Sequence, residues 1–132
     1  MPKAVYLLDT NFLISVLSEE PWAKAYLGGL ENDLLFISVI TEMEFLSYPR
    51  LTPDEERRAR QILHQLTTVD MNEPVKQLSI NIRRSFHLKL PDAIIAATAV
   101  YMGATLVSND TRLLNISQVW PDLSVIKPQA EI

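Results

Sequence analysis

The stretch Leu90-Pro91-Asp92-Ala93-Ile94-Ile95-Ala96-Ala97-Thr98-Ala99 places a carboxylate at the start of a helix made almost entirely of alanine and isoleucine. Pro91 suits the first helical position, where its missing N–H leaves no donor unpaired. Asp92 then lies in the first turn, where the helix dipole favours negative charge. Small apolar residues on most sides let neighbouring elements approach closely, so this helix belongs in the interior. An acid at its mouth is either a cap or a ligand. The choice depends on whether other acids converge on it.

The chain of 132 residues matches one domain, 1–132, large enough for a proper core. Hydrophobic residues make up 48% and charged residues 21%, the proportions of a soluble globular protein. There is no cysteine, which excludes a disulfide framework and a zinc–thiolate site and makes a reducing, cytoplasmic setting the simplest expectation. The apolar run at the amino terminus ends at Asp9, too early for a secretory signal. The run Ile94–Met102 is far short of the ~20 residues that span a bilayer, so no membrane partner is expected. The net charge of −4 argues against a simple basic nucleic-acid binder. It leaves room for a nuclease whose acids hold metal cations.

Along the chain, short apolar runs alternate with helical patterns. Ala4–Leu8, Leu34–Ile37, Thr67–Asp70, Ala104–Val107 and Ser124–Ile126 read as strands. Helical patterns begin at Asp9-Thr10-Asn11 and cover 21–30, 39–48, 51–66, 72–86 and the stretch after Pro91, which Gly103 ends. Ser38 is placed to cap the third helix and Pro49 to end it, while Thr52-Pro53-Asp54-Glu55 opens the fourth with a cap, a proline and an acidic turn. After Asp110, Leu113-Leu114 reads as a short packed turn, and 127–132 as a loose tail. Strands alternating with helices predict an α/β fold, a three-layer α/β/α sandwich around a mainly parallel sheet.

Three acids fall at element junctions: Asp9 after the first strand, Asp92 at a helix start and Asp110 after the fourth strand. Each alone is an ordinary cap or turn residue. A fourth acid comes from the third helix, where Glu42 and Glu44 point about 200° apart, so at most one faces a site. The helical pattern does not choose between them. In a parallel sheet the strand ends share one edge, and carboxylates gathered there repel one another. A divalent cation removes that repulsion. Oxygen ligands without cysteine or clustered histidine suit Mg2+ or Mn2+. Such an ion activates water and stabilises charge on a phosphoryl oxygen, so phosphodiester hydrolysis is the natural reaction class.

Leu7-Leu8-Asp9-Thr10-Asn11, Ser38-Val39-Ile40-Thr41-Glu42-Met43-Glu44-Phe45, the stretch 90–99 and Leu106-Val107-Ser108-Asn109-Asp110 together resemble the PIN-domain ribonucleases, above all the VapC-type toxins of toxin–antitoxin pairs. The resemblance runs over nearly the whole chain in order. It implies Asp9, Glu44, Asp92 and Asp110 as catalytic residues, with Asp9, Asp92 and Asp110 as metal ligands. In that family two residues separate the Ser-x-Ile-Thr stretch from the acid, which selects Glu44 over Glu42. Ser108 stands where the family has Thr and keeps the hydroxyl. Asn11, Ser108 and Arg83 are the substrate-side candidates, the last because Arg83, Arg84 and Lys89 lie near Asp92 in sequence. The resemblance further implies a Mg2+- or Mn2+-dependent endoribonuclease, an RNA substrate, a homodimer and a small antitoxin partner.

Two other classes compete. A non-catalytic PIN-like module would bind RNA or protein through the same fold. A phospho-receiver domain also clusters acids at strand ends, but requires a lysine at the end of a later strand, and Ser108-Asn109-Asp110, which closes the fourth strand, offers none there.

Overall fold

The computed structural model of the protein describes residues 3–48 and 50–128. In chain order the elements are β1 (Val5–Leu8), α1 (Thr10–Leu17), α2 (Pro21–Gly28), β2 (Leu34–Ser38), α3 (Val39–Leu46), α4 (Pro53–His64), β3 (Thr67–Val69), α5 (Glu73–Phe86), α6 (Leu90–Met102), β4 (Thr105–Val107), α7 (Thr111–Val119) and β5 (Ser124–Ile126). All strand pairs are parallel, in the order β3-β2-β1-β4-β5. The chain winds outward from β1 through β2 to β3. It then crosses back to β4, on the other side of β1, and ends at β5. The order therefore reverses between β1 and β4, and the crevice beyond their carboxyl ends is where open parallel sheets bind ligands.

Side chains alternate across the sheet, as the two-residue period of a strand requires. Leu7 and Leu106 join a core with residues of α5, α6 and α7 on one face. Leu8, Ile37 and Val107 join a second core with residues of α1, α2, α3 and α4 on the other. The result is the three-layer α/β/α sandwich that the alternation of strands and helices predicts. Helix α6 is buried from Ala93 to Ala99, and its small residues let α5 pack along it. Gly103 ends it in the left-handed conformation at φ 62°, where an L side chain is strained.

Several boundaries differ from the sequence reading. Helix α6 starts at Leu90, so Pro91 takes the second helical position; the Ala93 N–H closes the first turn on the Lys89 carbonyl. Helix α3 stops at Leu46 rather than Tyr48, where the Ser47 hydroxyl donates to the Met43 carbonyl at 2.6 Å and satisfies an end of the helix. Its expected terminator, Pro49, lies outside the described residues, as does most of the expected tail, 129–132. The largest difference is α7. The short turn expected at Leu113-Leu114 is a nine-residue helix capped by Asp110. Leu113 and Ile116 bury its inner face, and Trp120 beyond it packs on Phe86 with ring centroids 5.7 Å apart. Leu113-Leu114 alone carries no helical period; it appears only when Ile116 and Trp120 are counted with it.

Phe45 anchors α3 to the sheet and is fully buried, whereas Met43, two residues away, is 60% exposed. Phe45→Ala is expected to cost about 3–5 kcal/mol of stability in guanidinium denaturation, and Met43→Ala within about 0.5 kcal/mol of zero. Equal midpoints for the two variants would contradict this packing.

Candidate active site

The site is built at the crevice between β1 and β4. Asp9 is the N-cap of α1, and one carboxylate oxygen, Oδ1, accepts the Thr10 N–H at 2.8 Å. The other, Oδ2, accepts the Ser108 hydroxyl proton at 2.7 Å. The Asp9 N–H donates in turn to the Val107 carbonyl at 3.1 Å, which binds the two strand ends together. Asp9 is only 6% exposed and Ser108 is fully buried.

Ser108 has a second task. Its oxygen accepts the Asp110 N–H at 3.0 Å, so one hydroxyl links Asp9 to the turn that presents Asp110. Thr10 plays the matching part on the other side. Its hydroxyl donates to Glu44 Oε1 at 2.7 Å and lies 3.1 Å from the buried Thr41 hydroxyl. Thr10 thus joins Asp9 to α3. Glu42 points away, with its Oε2 3.5 Å from the Thr68 hydroxyl, and lines a separate cleft with Leu46, Arg60, Leu63 and His64. Of the two acids that the helical pattern left equivalent, Glu44 faces the crevice.

Asp92 enters from the first turn of α6. The connector that places it is held from within: Arg83 donates to the Leu88 carbonyl at 3.0 Å, and His87 closes α5 in the left-handed conformation. The guanidinium of Arg83 therefore holds this connector. Arg112, in the first turn of α7, bridges Asp92 and Asp110: its Nη2 is 3.0 Å from Asp92 Oδ2 and 3.6 Å from Asp110 Oδ2. The four acids singled out from the sequence thus lie in one connected chain of contacts, Glu44–Thr10–Asp9–Ser108–Asp110–Arg112–Asp92. Asn11 is exposed beside it and lines a cleft of about 290 Å³ with Thr10, Ile14, Glu44, Ser47 and Tyr48.

Electrostatics follow from this crowding. Burial pushes the Asp9 carboxyl from 3.8 up to about 6; the Ser108 and Thr10 hydrogen bonds oppose the rise, and Asp92 and Asp110 add to it. Asp92 is also raised, first by burial and then by Asp110, against the pull of Arg112 and Lys89. These carboxylates are close enough to feel one another. Among the described residues, however, no three His, Cys, Asp or Glu side chains stand in position to hold a metal ion, and Arg112 supplies the positive charge at Asp92 and Asp110. The donor set still suits a hard cation: it is oxygen only, and Asn109 Oδ1, in the same turn, is buried without a hydrogen-bond partner. Nothing in the sequence pattern marks Arg112 or Thr10 as part of the site. Arg112 follows Asp110 by two residues, but its pairing depends on α7 being helical.

The sequence matches the PIN domain family over residues 6–119. A comparison with curated protein sequences returned no match. Among solved structures, a toxin–antitoxin complex from Klebsiella pneumoniae is similar at 30% identity, with a TM-score of 0.77 over 96% of this chain and 99% of that one. FitAcB from Neisseria gonorrhoeae is similar at 26% identity, with a TM-score of 0.72 over 93% and 97%. VapBC2 from Rickettsia felis, solved on a DNA fragment from its promoter, shares the fold at 21% identity, with a TM-score of 0.79 over 94% and 98%. The acids at the crevice, the parallel sheet that gathers them and a family match over most of the chain agree, and this chain belongs to the PIN domain family.

Proposed function

We propose that the protein is a divalent-metal-dependent endoribonuclease, the toxin of a toxin–antitoxin pair. The observation that carries this reading is the hydrogen-bonded chain that ties Glu44, Asp9 and Asp110 together at the β1–β4 crevice, with Asp92 joined to it by Arg112. A binding module needs no buried carboxylate at this crevice: burying Asp9 costs stability that its hydrogen bonds only partly offset, and such perturbed acids cluster at functional sites.

Asp9, Asp92 and Asp110 would hold the ion, Mg2+ or Mn2+. Bound there, it supplies Lewis acidity, lowering the pKa of water and offsetting charge on a phosphoryl oxygen. Glu44 is the exposed acid of that chain, turned by the Thr10 hydroxyl toward the crevice, and would orient the attacking water and take its proton. Hydrolysis adds that water across one P–O bond, leaving one strand end with the phosphate and the other with a hydroxyl. Ser108 is not a nucleophile here: it is fully buried, with its proton committed to Asp9 and its oxygen to the Asp110 N–H. Its role is to hold Asp9. Asn11 lines the open cleft beside Glu44 and would contact RNA there.

The toxin role and the antitoxin partner rest on the similar structure from Klebsiella pneumoniae, solved as a toxin–antitoxin complex. A homodimer belongs to the same proposal. No described helix is long and apolar enough to cross a membrane. The competing reading, a PIN-like binding module, draws on the lack of three converged acids among the described residues. Cleavage separates the two. With an RNA pool and Mg2+ or Mn2+, the parent should cut and EDTA should stop it. Asp9→Asn or Glu44→Gln should lower the rate on the order of a hundredfold or more, while Arg57→Ala on the exposed face of α4 should leave it unchanged. RNA binding without cleavage under either metal would favour the module.

Asp9 also makes a pH prediction. Its carboxyl holds a proton more tightly in the folded chain, at about 6, than at its ordinary 3.8. Between those values the folded state binds more protons than the unfolded one, so this group lowers stability as pH rises, and its penalty is complete above about 6. Asp9→Asn has no proton to lose. In EDTA, the variant should gain on the parent by up to about 3 kcal/mol between pH 4 and pH 7 in urea denaturation. A constant difference across that range would contradict the burial of Asp9 as a charged group.

A further inference from the structure

Arg112 is bound to the site in two unequal ways. Its backbone is fixed, because its N–H donates to Asp110 Oδ1 at 2.8 Å as part of the cap of α7. Its side chain is 54% exposed, while the carboxylates it pairs with, Asp92 and Asp110, are 26% and 21% exposed, so water reaches these ion pairs from the arginine's side. Because the cap uses only the backbone N–H of Arg112, the guanidinium can leave these acids into water without disturbing α7. Among the described residues it is the cation in ion-pair contact with the acids of the crevice.

That placement creates a conflict with a divalent ion. Asp92 and Asp110 are already partnered by Arg112, and no three acids stand converged while it is there. A cation entering the crevice competes with the guanidinium for the same oxygens and repels it. Once displaced, Arg112 remains tethered at the rim of a site crowded with carboxylates, where Lys89 also acts on Asp92 but makes no ion pair with it. A phosphodiester approaching that rim meets repulsion from every acid the metal has not neutralised. A planar guanidinium fork is the side chain best matched to a phosphate in that position.

We propose that Arg112 is a displaceable internal cation: it neutralises Asp92 and Asp110 in the metal-free protein, yields them to the divalent ion, and then binds the phosphate of the incoming RNA. This rests on the nuclease reading above. It makes metal loading and RNA binding cooperative, because the ion releases the group that holds the substrate. The coupling is energetic and reciprocal: RNA that engages Arg112 also favours the ion.

The test compares the full chain with Arg112→Ala and uses two readouts that do not depend on turnover. The first is Mn2+ affinity, measured by electron paramagnetic resonance of the free ion. Removing the competitor should tighten Mn2+ binding up to about fivefold. The second is the affinity of a short single-stranded RNA in Ca2+ and in EDTA. Arg112→Ala should weaken it about tenfold or more in Ca2+ and leave it nearly unchanged in EDTA, where the parent's guanidinium is engaged by the acids. Arg112→Lys keeps the charge and should recover part of the loss in Ca2+. Equal loss with and without the ion would mean that Arg112 is only part of the general charge, and would overturn the proposal while leaving the nuclease reading intact. Mn2+ binding to neither protein would overturn both.

Discussion

The site depends on one hydrogen bond more than on any other, that from the Ser108 hydroxyl to the Asp9 carboxylate. Both residues are buried where β1 and β4 end side by side. Without a donor there, a carboxylate this deep would be held neutral by its own desolvation. With it, and with the Thr10 N–H on the other oxygen, the acid is kept near the range in which it ionises at neutral pH. The same hydroxyl sets the Asp110 turn, and the same threonine holds Glu44. Two small hydroxyl residues therefore decide the positions of three acids that come from three different parts of the chain.

Much of this was legible in the sequence, for reasons that can be assigned. The strands and helices alternate with clear apolar periods, and Asp9, Asp92 and Asp110 all fall at element ends, which a parallel sheet gathers on one edge. Glu44 was not legible from periodicity. Glu42 and Glu44 sit on one short helix with no difference in pattern, and the choice came from the resemblance to PIN domains. The structure supplies its physical basis, since Glu44 reaches Thr10 while Glu42 turns to Thr68. Arg112 was missed because its partner Asp92 is twenty residues away and its direction depends on α7, a helix hidden behind Asn115 and Ser117. Arg83 is a substrate-side candidate from its proximity to Asp92 along the chain; the structure adds that it is exposed and that its Nη1 donates to the Leu88 carbonyl, a contact sequence spacing does not reveal.

The acidic balance of the chain takes on a local meaning at this crevice. A net charge of −4 spread over the surface would hinder RNA everywhere. Here several of the negative charges are concentrated at one crevice. The fold holds that concentration together with hydrogen bonds from Ser108 and Thr10 and with one arginine. The cost appears as raised carboxyl pKa values at Asp9 and Asp92, and it is relieved by any positive charge that enters. Function and instability thus share one origin in this site.

If these acids form a cation site that Arg112 guards, crystals grown without metal and soaked in Mn2+ should show it by anomalous scattering at the manganese edge. The expected result is a peak bounded by Asp9, Asp92 and Asp110, with the Arg112 side chain turned out of contact with Asp92. A soaked crystal with no peak in the crevice and Arg112 still paired to both acids would contradict it.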